Sequence, residues 1–483
     1  MQYNIVHMLK NRWHGEGGYH HVLTIAFPLI ISTGAWSIQH FVDRMFLTWY
    51  SPEALAASTP AGMLNFTIMC IFIGTGSYVN TFVAQYYGAK RYDRIGPAVW
   101  QGIYVSLIGG LCLLIIMPLT EGIFTIIGHD EAVKNYEIIY FRILCLGGAP
   151  AIASSVLSGF FSGRGRTWPV MWVNLLAIGF NLVFDYLLIF GNAGFPELGV
   201  KGAAIATVLA PCLSTAVYLY LLTGKRYRLK YNTLSGWRLD SVLFKRLMRF
   251  GFPNGVHLFL EVAGYTFFIL LIGRKGIYHL AATNIAFNIN TIAFLPMIGL
   301  GIAISILVGQ YLGDGKPDRA EYSVFSGFHI ALLYMTVIAT LYVFVPGVFL
   351  APFASQADPE SFAAIREITV VLLRFVAFYS VFDALNIVFS YAIKGAGDTR
   401  FIMKVIIFDS LLVQVIPCYI FMSVLGYGIY SGWAFTSAFI SILGIVFAWR
   451  FMGGKWKTMR VIENVPPIVP TVFPEAPVTE IEP

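Results

Sequence analysis

Twelve runs of largely apolar residues lie near positions 22–47, 54–84, 96–118, 137–161, 168–191, 199–222, 246–272, 279–309, 323–348, 367–393, 403–424 and 430–451 of a 483-residue chain. A helix needs about 20 such residues to cross the hydrocarbon core of a bilayer. Lipid offers no partner to backbone N–H and C=O groups, so runs of this length fold as a bundle of spanning helices that satisfy their own hydrogen bonds. Composition agrees: 12% of the residues are charged, against roughly 25% in soluble domains. The expected class is an all-α integral membrane protein.

The net charge of +7 follows from topology and not from nucleic-acid binding. With the N-terminus inside, Lys10, Arg12, Lys90, Arg91, Arg94, Arg164, Arg166, the cluster from Lys225 to Arg249, Lys316, Arg319, Lys394, Arg400 and Lys404 share one side. The other side receives Lys134, Lys201, Arg274, Lys275 and Arg366, and its loop GHDEAVKNYE carries several acids. The positive-inside rule then places both termini in the cytoplasm, as expected for a multi-pass plasma-membrane protein of the bacterial inner membrane. The first twenty residues lack the apolar core and cleavage site of a signal peptide. Cys70, Cys112, Cys145, Cys212 and Cys418 are scattered within apolar runs without a CxxC, which reads as free buried thiols. After Arg460 the Pro- and Glu-rich VPPIVPTVFPEAPVTEIEP has the composition of an unstructured tail.

The chain repeats itself. QYYGAKRYDR (85–94) returns as QYLGDGKPDR (310–319), and Phe27-Pro28 returns as Phe252-Pro253 at the same offset of 225. Arg142 matches Arg374 at an offset of 232, as do the ends of SGRGRT (Gly163, Gly165, Thr167) and KGAGDT (Gly395, Gly397, Thr399). Gly199 and Thr207 match Gly428 and Thr436. A period of this kind marks duplicated architecture. Six spans per repeat give both halves the same orientation, so a pseudo-two-fold axis along the membrane normal relates them. The expected parts are a cytoplasmic segment (1–20), a first lobe (21–223), a cytoplasmic linker (224–245), a second lobe (246–452) and a tail (453–483). Two such lobes leave a cleft between them, where carriers built from repeats place substrate sites.

Asp43, Asp185, Glu261 and Asp383 lie inside predicted spans, with Asp409 nearer an end. Each costs about 2.5–3.5 kcal/mol at a helix centre on insertion scales, so it has to face protein, water or a ligand. Helical spacing groups them with other polar residues: Trp36, His40 and Asp43; Asn174, Asn181 and Asp185; His257, Glu261 and Tyr265; Tyr379, Asp383 and Asn386; and Asn284 with Asn288. Asp43, Asn181, Asp185 and Thr207 fall in the outer half of the first repeat, and Glu261 and Asp383 nearer the middle of the second. An oxygen-rich group suits a hard monovalent cation such as Na+ and equally suits a proton. His40 and His257 read as structural neighbours, and Arg142 and Arg374 as helix-holding groups.

VDRMFLTWYSPEALAA, the paired QYYGAKRYDR and QYLGDGKPDR, NLVFDYLLIFGNAGFPELGVKGAAIAT, GFPNGVHLFLE and YAIKGAGDT occur in order along residues 20–452, and together they resemble the multidrug and toxic compound extrusion (MATE) family. The resemblance implies an antiporter that expels organic cations as Na+ or H+ flows inward. It places a first-lobe cation site on Asp43, Asn181, Asp185 and Thr207. A second-lobe site, as in NorM-type members, falls on Glu261, Tyr379 and Asp383. Trp36, His40, Asn174, His257, Tyr265, Asn284, Asn288 and Asn386 are candidate cavity-lining residues. Arg44 beside Asp43 departs from the family's small polar residue; adjacent helical side chains point about 100 degrees apart, so Asp43 keeps its assignment.

A flippase for a lipid-linked saccharide is the alternative, but a polyanionic substrate calls for Arg and Lys where the mid-membrane charges here are mostly acidic. GxxxxGK[ST], HExxH and GxSxG are absent from the sequence, so neither an enzyme nor an ATP-driven pump is expected. The expected partners are a small cationic substrate and membrane lipid, with no cofactor, no nucleic acid and a monomeric state.

Overall fold

The computed structural model describes residues 12–127, 129–354 and 359–463. Residues 1–11 of the expected N-terminal segment and 464–483 of the expected tail lie outside the described residues. The described residues are helical, with no strand among them. Eleven helices are long and apolar enough to cross a membrane: Tyr19–Tyr50, Glu53–Gly88, Tyr92–Ile127, Trp168–Phe190, Val200–Leu222, Ser241–Gly273, Ile277–Gly313, Pro317–Phe344, Phe362–Ala396, Thr399–Val424 and Ile429–Met452.

The fourth crossing, expected as one helix near 137–161, is instead a bent pair, Val133–Leu146 and Gly148–Ser162, meeting at 45°. Gly147-Gly148 weakens the helix there, and Pro150 has no N–H to return to the carbonyl of Leu146. The eleventh is also irregular. Two π-helical turns, Ser410–Val415 and Ile420–Val424, flank Pro417, so the missing proline donor is absorbed by a wider turn. Local chemistry sets the starts of other spans: Ser51 caps Ala54 N–H at 3.1 Å ahead of Pro52, and Asp240 accepts from Val242 and Leu243 N–H at 3.1 and 3.0 Å.

The first and seventh spans are repeat equivalents, as are the second and eighth. The first packs on the eighth and the seventh on the second, across the lobe boundary. Asn254 donates to the Gly74 carbonyl at 2.7 Å, and Thr33 to the Leu295 carbonyl at 3.0 Å. Gly74 lies against Asn254 and Gly255, and its repeat equivalent Gly299 lies against Leu29 and Ile30. At the N-terminal face the duplicated motifs meet each other. A Cβ on Gly88 would collide with the Gln310 carbonyl, and a Cβ on Gly313 with the Gln85 carbonyl. Gln85 Nε2 donates to the Gly395 carbonyl at 3.0 Å, while Gln310 Nε2 donates to the carbonyl of its equivalent Gly163 at 2.8 Å. Gly165 and Gly397, two residues on, hold positive φ of 74° and 112°, backbone that glycine adopts without penalty.

These inter-lobe contacts use residues up to Thr33 in the first span, from Ile71 in the second, up to Gly255 in the seventh and from Leu295 in the eighth. All lie toward the face that carries the N-terminus. Toward the opposite face the same helices leave Trp36, Phe41, Trp49, Tyr265, Leu270 and Ile292 exposed. The lobes are closed on one face and splayed on the other.

The chain after the last span is packed as far as Glu463, so the expected tail starts later than 453. Trp456 is buried and stacks on Phe451 with centroids 4.7 Å apart. Lys457 pairs with Glu321 and Asp318 of the second lobe at 2.6 and 3.3 Å. Val461 N–H reaches Gln85 Oε1 at 2.9 Å, and Glu463 pairs with Arg91 and Arg94 of the first lobe at 3.1 and 3.4 Å. This segment crosses the closed seam and ties the lobes together. The linker docks on the first lobe, where Tyr227 and Tyr231 surround the Arg164 guanidinium with Phe160.

All five cysteines are free. Cys70, Cys145 and Cys418 are buried, but Cys112 and Cys212 are only half-buried, contrary to expectation. Arg142 lies 3.7 Å from Glu121, while Arg374 lines an open groove with Phe375, Phe378 and Ile442.

Overpacking a tight backbone crossing costs about 1–3 kcal/mol, so Gly88→Ala and Gly313→Ala are each expected to loosen the seam. Hydrogen exchange followed by mass spectrometry should show faster exchange at 84–89 and 309–314, with a lower melting temperature. Unchanged exchange in both variants contradicts the close crossing.

Candidate functional site

The first-lobe group forms where the first, fourth, fifth and sixth spans meet. Asn181 and Asp185 are one turn apart on the fifth span and essentially inaccessible, at 0% and 1% exposure. Asp43 of the first span lies beside Asp185, and both stand near Tyr140 of the fourth, whose hydroxyl is beside Thr207 of the sixth. Thr207 donates to its own helix at Ala203. Both Asp185 oxygens, Asp43 Oδ1 and both amide atoms of Asn181 are buried without a protein hydrogen-bond partner. Two adjacent carboxylates with unmet acceptors repel each other unless a proton or a metal cation lies between them. Arg44 is exposed and forms no ion pair with Asp43.

Tyr140 was not anticipated from sequence. Its polar neighbours at helical spacing, Tyr136 and Glu137, lie on the loop side, where Glu137 meets His129 at 2.8 Å, and only the packing of the bent fourth crossing brings Tyr140 to the acids.

The second-lobe group lies between the seventh and tenth spans. Asp383 is buried and accepts from Asn386 Nδ2 at 3.2 Å. Tyr379 is buried one turn away, next to Asp383 and Tyr265. Glu261 stands within electrostatic reach of Asp383, and its side chain is 42% exposed where that of His257 is 5% exposed. Glu261 is therefore the member that opens onto the cleft. Lys394, counted above with the cytoplasmic charges, turns inward instead: its ammonium lies 3.5 Å from His257 Nδ1. Glu261 stands at the repeat position of Trp36, seven residues from that of Asp43, which at 1.5 Å per residue sets it about 10 Å nearer the closed face.

Of the other candidates, Tyr265 borders the second group through Tyr379 and the rest lie apart from both. Asn174 donates to Ser32 at 2.5 Å. Trp36 packs against His40 and Phe66 with centroids 5.1 and 6.1 Å away, and Tyr265 packs edge-on against Phe287. Asn284 and Asn288 are exposed on the eighth span. Asp409 is buried at the first π turn, with Oδ2 unpartnered.

Two six-span lobes joined at one face, each holding buried acids beside a splayed cleft, define a membrane transporter. The family model described as MatE matches residues 28–187 and 253–420, one block in each lobe. The chain belongs to this family, the MATE multidrug efflux transporters. It is 25% identical over 429 residues to the multidrug resistance protein NorM of Burkholderia vietnamiensis, covering 88% of this chain and 92% of that one. An outward-facing multidrug resistance MATE transporter of the MOP superfamily shares the fold at TM-score 0.82 and 22% identity, over 93% of this chain and 98% of that one. A MOP superfamily transporter from Pyrococcus furiosus, described as having a binding pocket of reversed polarity that suggests a different function, matches at TM-score 0.81 and 20% identity, with the same coverage.

A buried carboxylate with unmet hydrogen bonds carries a desolvation cost that an apolar side chain of similar size does not. Asp185→Leu is expected to keep or raise the melting temperature in detergent while abolishing transport. A fall of several degrees instead makes Asp185 a packing element.

Proposed function

We propose that the protein is a secondary antiporter that exports lipophilic organic cations in exchange for inward Na+ or H+, with the N-terminal face in the cytoplasm. The observation that carries this reading is the pair of adjacent carboxylates, a buried Asp185 and a half-buried Asp43, whose buried oxygens Asp185 Oδ1, Asp185 Oδ2 and Asp43 Oδ1 have unmet acceptors. Such a group binds a small cation or a proton and binds nothing anionic. The basic side chains that crowd the N-terminal face supply the orientation.

In the state closed on the cytoplasmic side, the coupling ion enters from outside and neutralises the first-lobe group. The second-lobe acids Glu261, about 10 Å nearer the closed face, and Asp383 are the natural partners of a cationic drug among aromatic side chains. The two cations repel each other across the cleft, so binding of the inward-driven ion favours release of the drug. Opening of the seam at Gly88 and Gly313 then presents the acids to the cytoplasm. A membrane potential contributes about 2.3 kcal/mol per charge per 100 mV when net charge moves. The reversed pocket described for the Pyrococcus furiosus protein makes cavity polarity the discriminating property within this fold, and four acids in the spans of this chain favour cations over the polyanion of a lipid-linked saccharide.

The test is efflux of a fluorescent cation from vesicles under an imposed Na+ gradient and then a pH gradient. At least one gradient should drive efflux, and at least two of Asp43→Asn, Glu261→Gln and Asp383→Asn should reduce it more than tenfold. Equal efflux in all three variants removes the assigned roles, and efflux of anions alone removes the substrate class.

A further inference from the structure

Lys394 sits two residues before the closed-face end of the tenth span, Phe362–Ala396, and its half-buried side chain turns into the second lobe, where an unpaired ammonium calls for a partner. Its nearest acid by sequence, Asp398, is already held by Arg450 at 2.7 Å. The Lys394 ammonium instead lies 4.7 Å above the Tyr391 ring and 3.5 Å from His257 Nδ1. The same Nδ1 lies 3.3 Å from Glu261 Oε2. One ring nitrogen serves one partner in the ring plane: it accepts from the ammonium or donates to the carboxylate. Lys394 and Glu261 therefore share a single contact atom, and no acid forms an ion pair with Lys394 among the described residues. The Lys394 carbonyl accepts from Tyr78 of the first lobe at 2.7 Å, and the next carbonyl accepts from Gln85, so the lysine is anchored to the closed seam.

We propose that Lys394 is a tethered counter-cation of the second-lobe site, linked to Glu261 through His257, which competes there with the passenger. This rests on the antiport reading and gives the site its charge count. With Glu261 and Asp383 negative, Lys394 positive and His257 neutral, one negative charge remains for one monovalent passenger. When the passenger leaves, the Nδ1–H tautomer of His257 donates to Glu261 and the Lys394 ammonium beside it supplies the balancing charge, so the carboxylate is not left bare while the lobes rearrange. Lys394 is a positioning residue; it acts through His257 and touches no passenger.

Two measurements on the purified full-length protein test this. The first is acylation of Lys394 by limiting acetic anhydride at constant pH, read by peptide mass spectrometry. Acylation needs the neutral amine, so Glu261→Gln should raise the rate several-fold, His257→Ala should do the same, and Asp43→Asn should not. The second is binding of tetraphenylphosphonium, a monovalent lipophilic cation. Lys394→Gln should bind it several-fold more tightly but turn over more slowly, Lys394→Arg should restore the parent values, and the gain should vanish when Glu261→Gln is also present. Equal acylation of parent and Glu261→Gln, in protein whose melting curves match, overturns the proposal. So does a Lys394→Gln variant that binds tetraphenylphosphonium no better than the parent does. If the parent binds and moves no cation while acylation still answers to Glu261, the exporter reading fails and the Lys394–Glu261 link stands.

Discussion

Close approach of two backbones at the N-terminal face underlies everything else in this structure. Gly88 lies on the Gln310 carbonyl and Gly313 on the Gln85 carbonyl, and a side chain at either place would push the lobes apart. Because the crossing is backbone on backbone, the two glutamines can reach past each other to the Gly163 and Gly395 carbonyls. That reciprocal grip uses few bonds, all at one end of the bundle. It holds the lobes together without fusing them, and it leaves the far ends of the first, second, seventh and eighth spans separated. The segment from Trp456 to Glu463 reinforces the same seam from outside, with exposed ion pairs worth about 0–1 kcal/mol each. Contacts of that size steady one arrangement and still release it.

Distance from the seam separates the two acidic groups. Asp43 and Asp185 lie toward the splayed face, while Glu261 stands about 10 Å closer to the crossing and is joined through His257 and Lys394 to the strand of carbonyls that the seam itself engages. The second-lobe acid is thereby joined to the seam through four adjoining groups, Glu261, His257, Lys394 and Tyr78, whereas the first-lobe acids stand most of a helix away from it. A rigid-lobe rearrangement moves both groups together but alters the surroundings of the second group more.

Much of this was legible in the sequence because it depends on periodic apolar runs and on repeated glycines. The spans, the even count per lobe and the pairing of QYYGAKRYDR with QYLGDGKPDR all rest on signals that survive in one dimension. The intramembrane acids were equally visible, since a carboxylate in an apolar run has no neutral explanation. Tyr140 and Lys394 were not. Tyr140 acts through the bend at Gly147-Gly148, and a bend changes which face of a helix meets its neighbours without changing the spacing of residues along it. Lys394 sits at the end of a span, where a basic residue ordinarily snorkels to the interface; its inward course follows from where His257 of another helix stands. The π turns around Pro417 were hidden for a related reason, as a proline in a span reads as a kink until its backbone partners are known.

The repeat accounts for the scaffold and not for the chemistry. At the offsets that align the lobes, Asp43 corresponds to Phe268, Glu261 to Trp36, His257 to Ser32, Asp383 to Ala151 and Lys394 to Ser162. The glutamines and glycines of the crossing (Gln85 and Gln310, Gly88 and Gly313, Gly163 and Gly395) are kept on both sides, while these ionisable residues are replaced by neutral ones on the other. A symmetric pair of sites would hold the same ion at the same depth in both lobes, and exchange would then require two ligands to pass through equivalent places. Placing acids at different depths on one duplicated frame removes that degeneracy: the gate stays symmetric, so it can close evenly, and the binding groups differ, so they can prefer different cations.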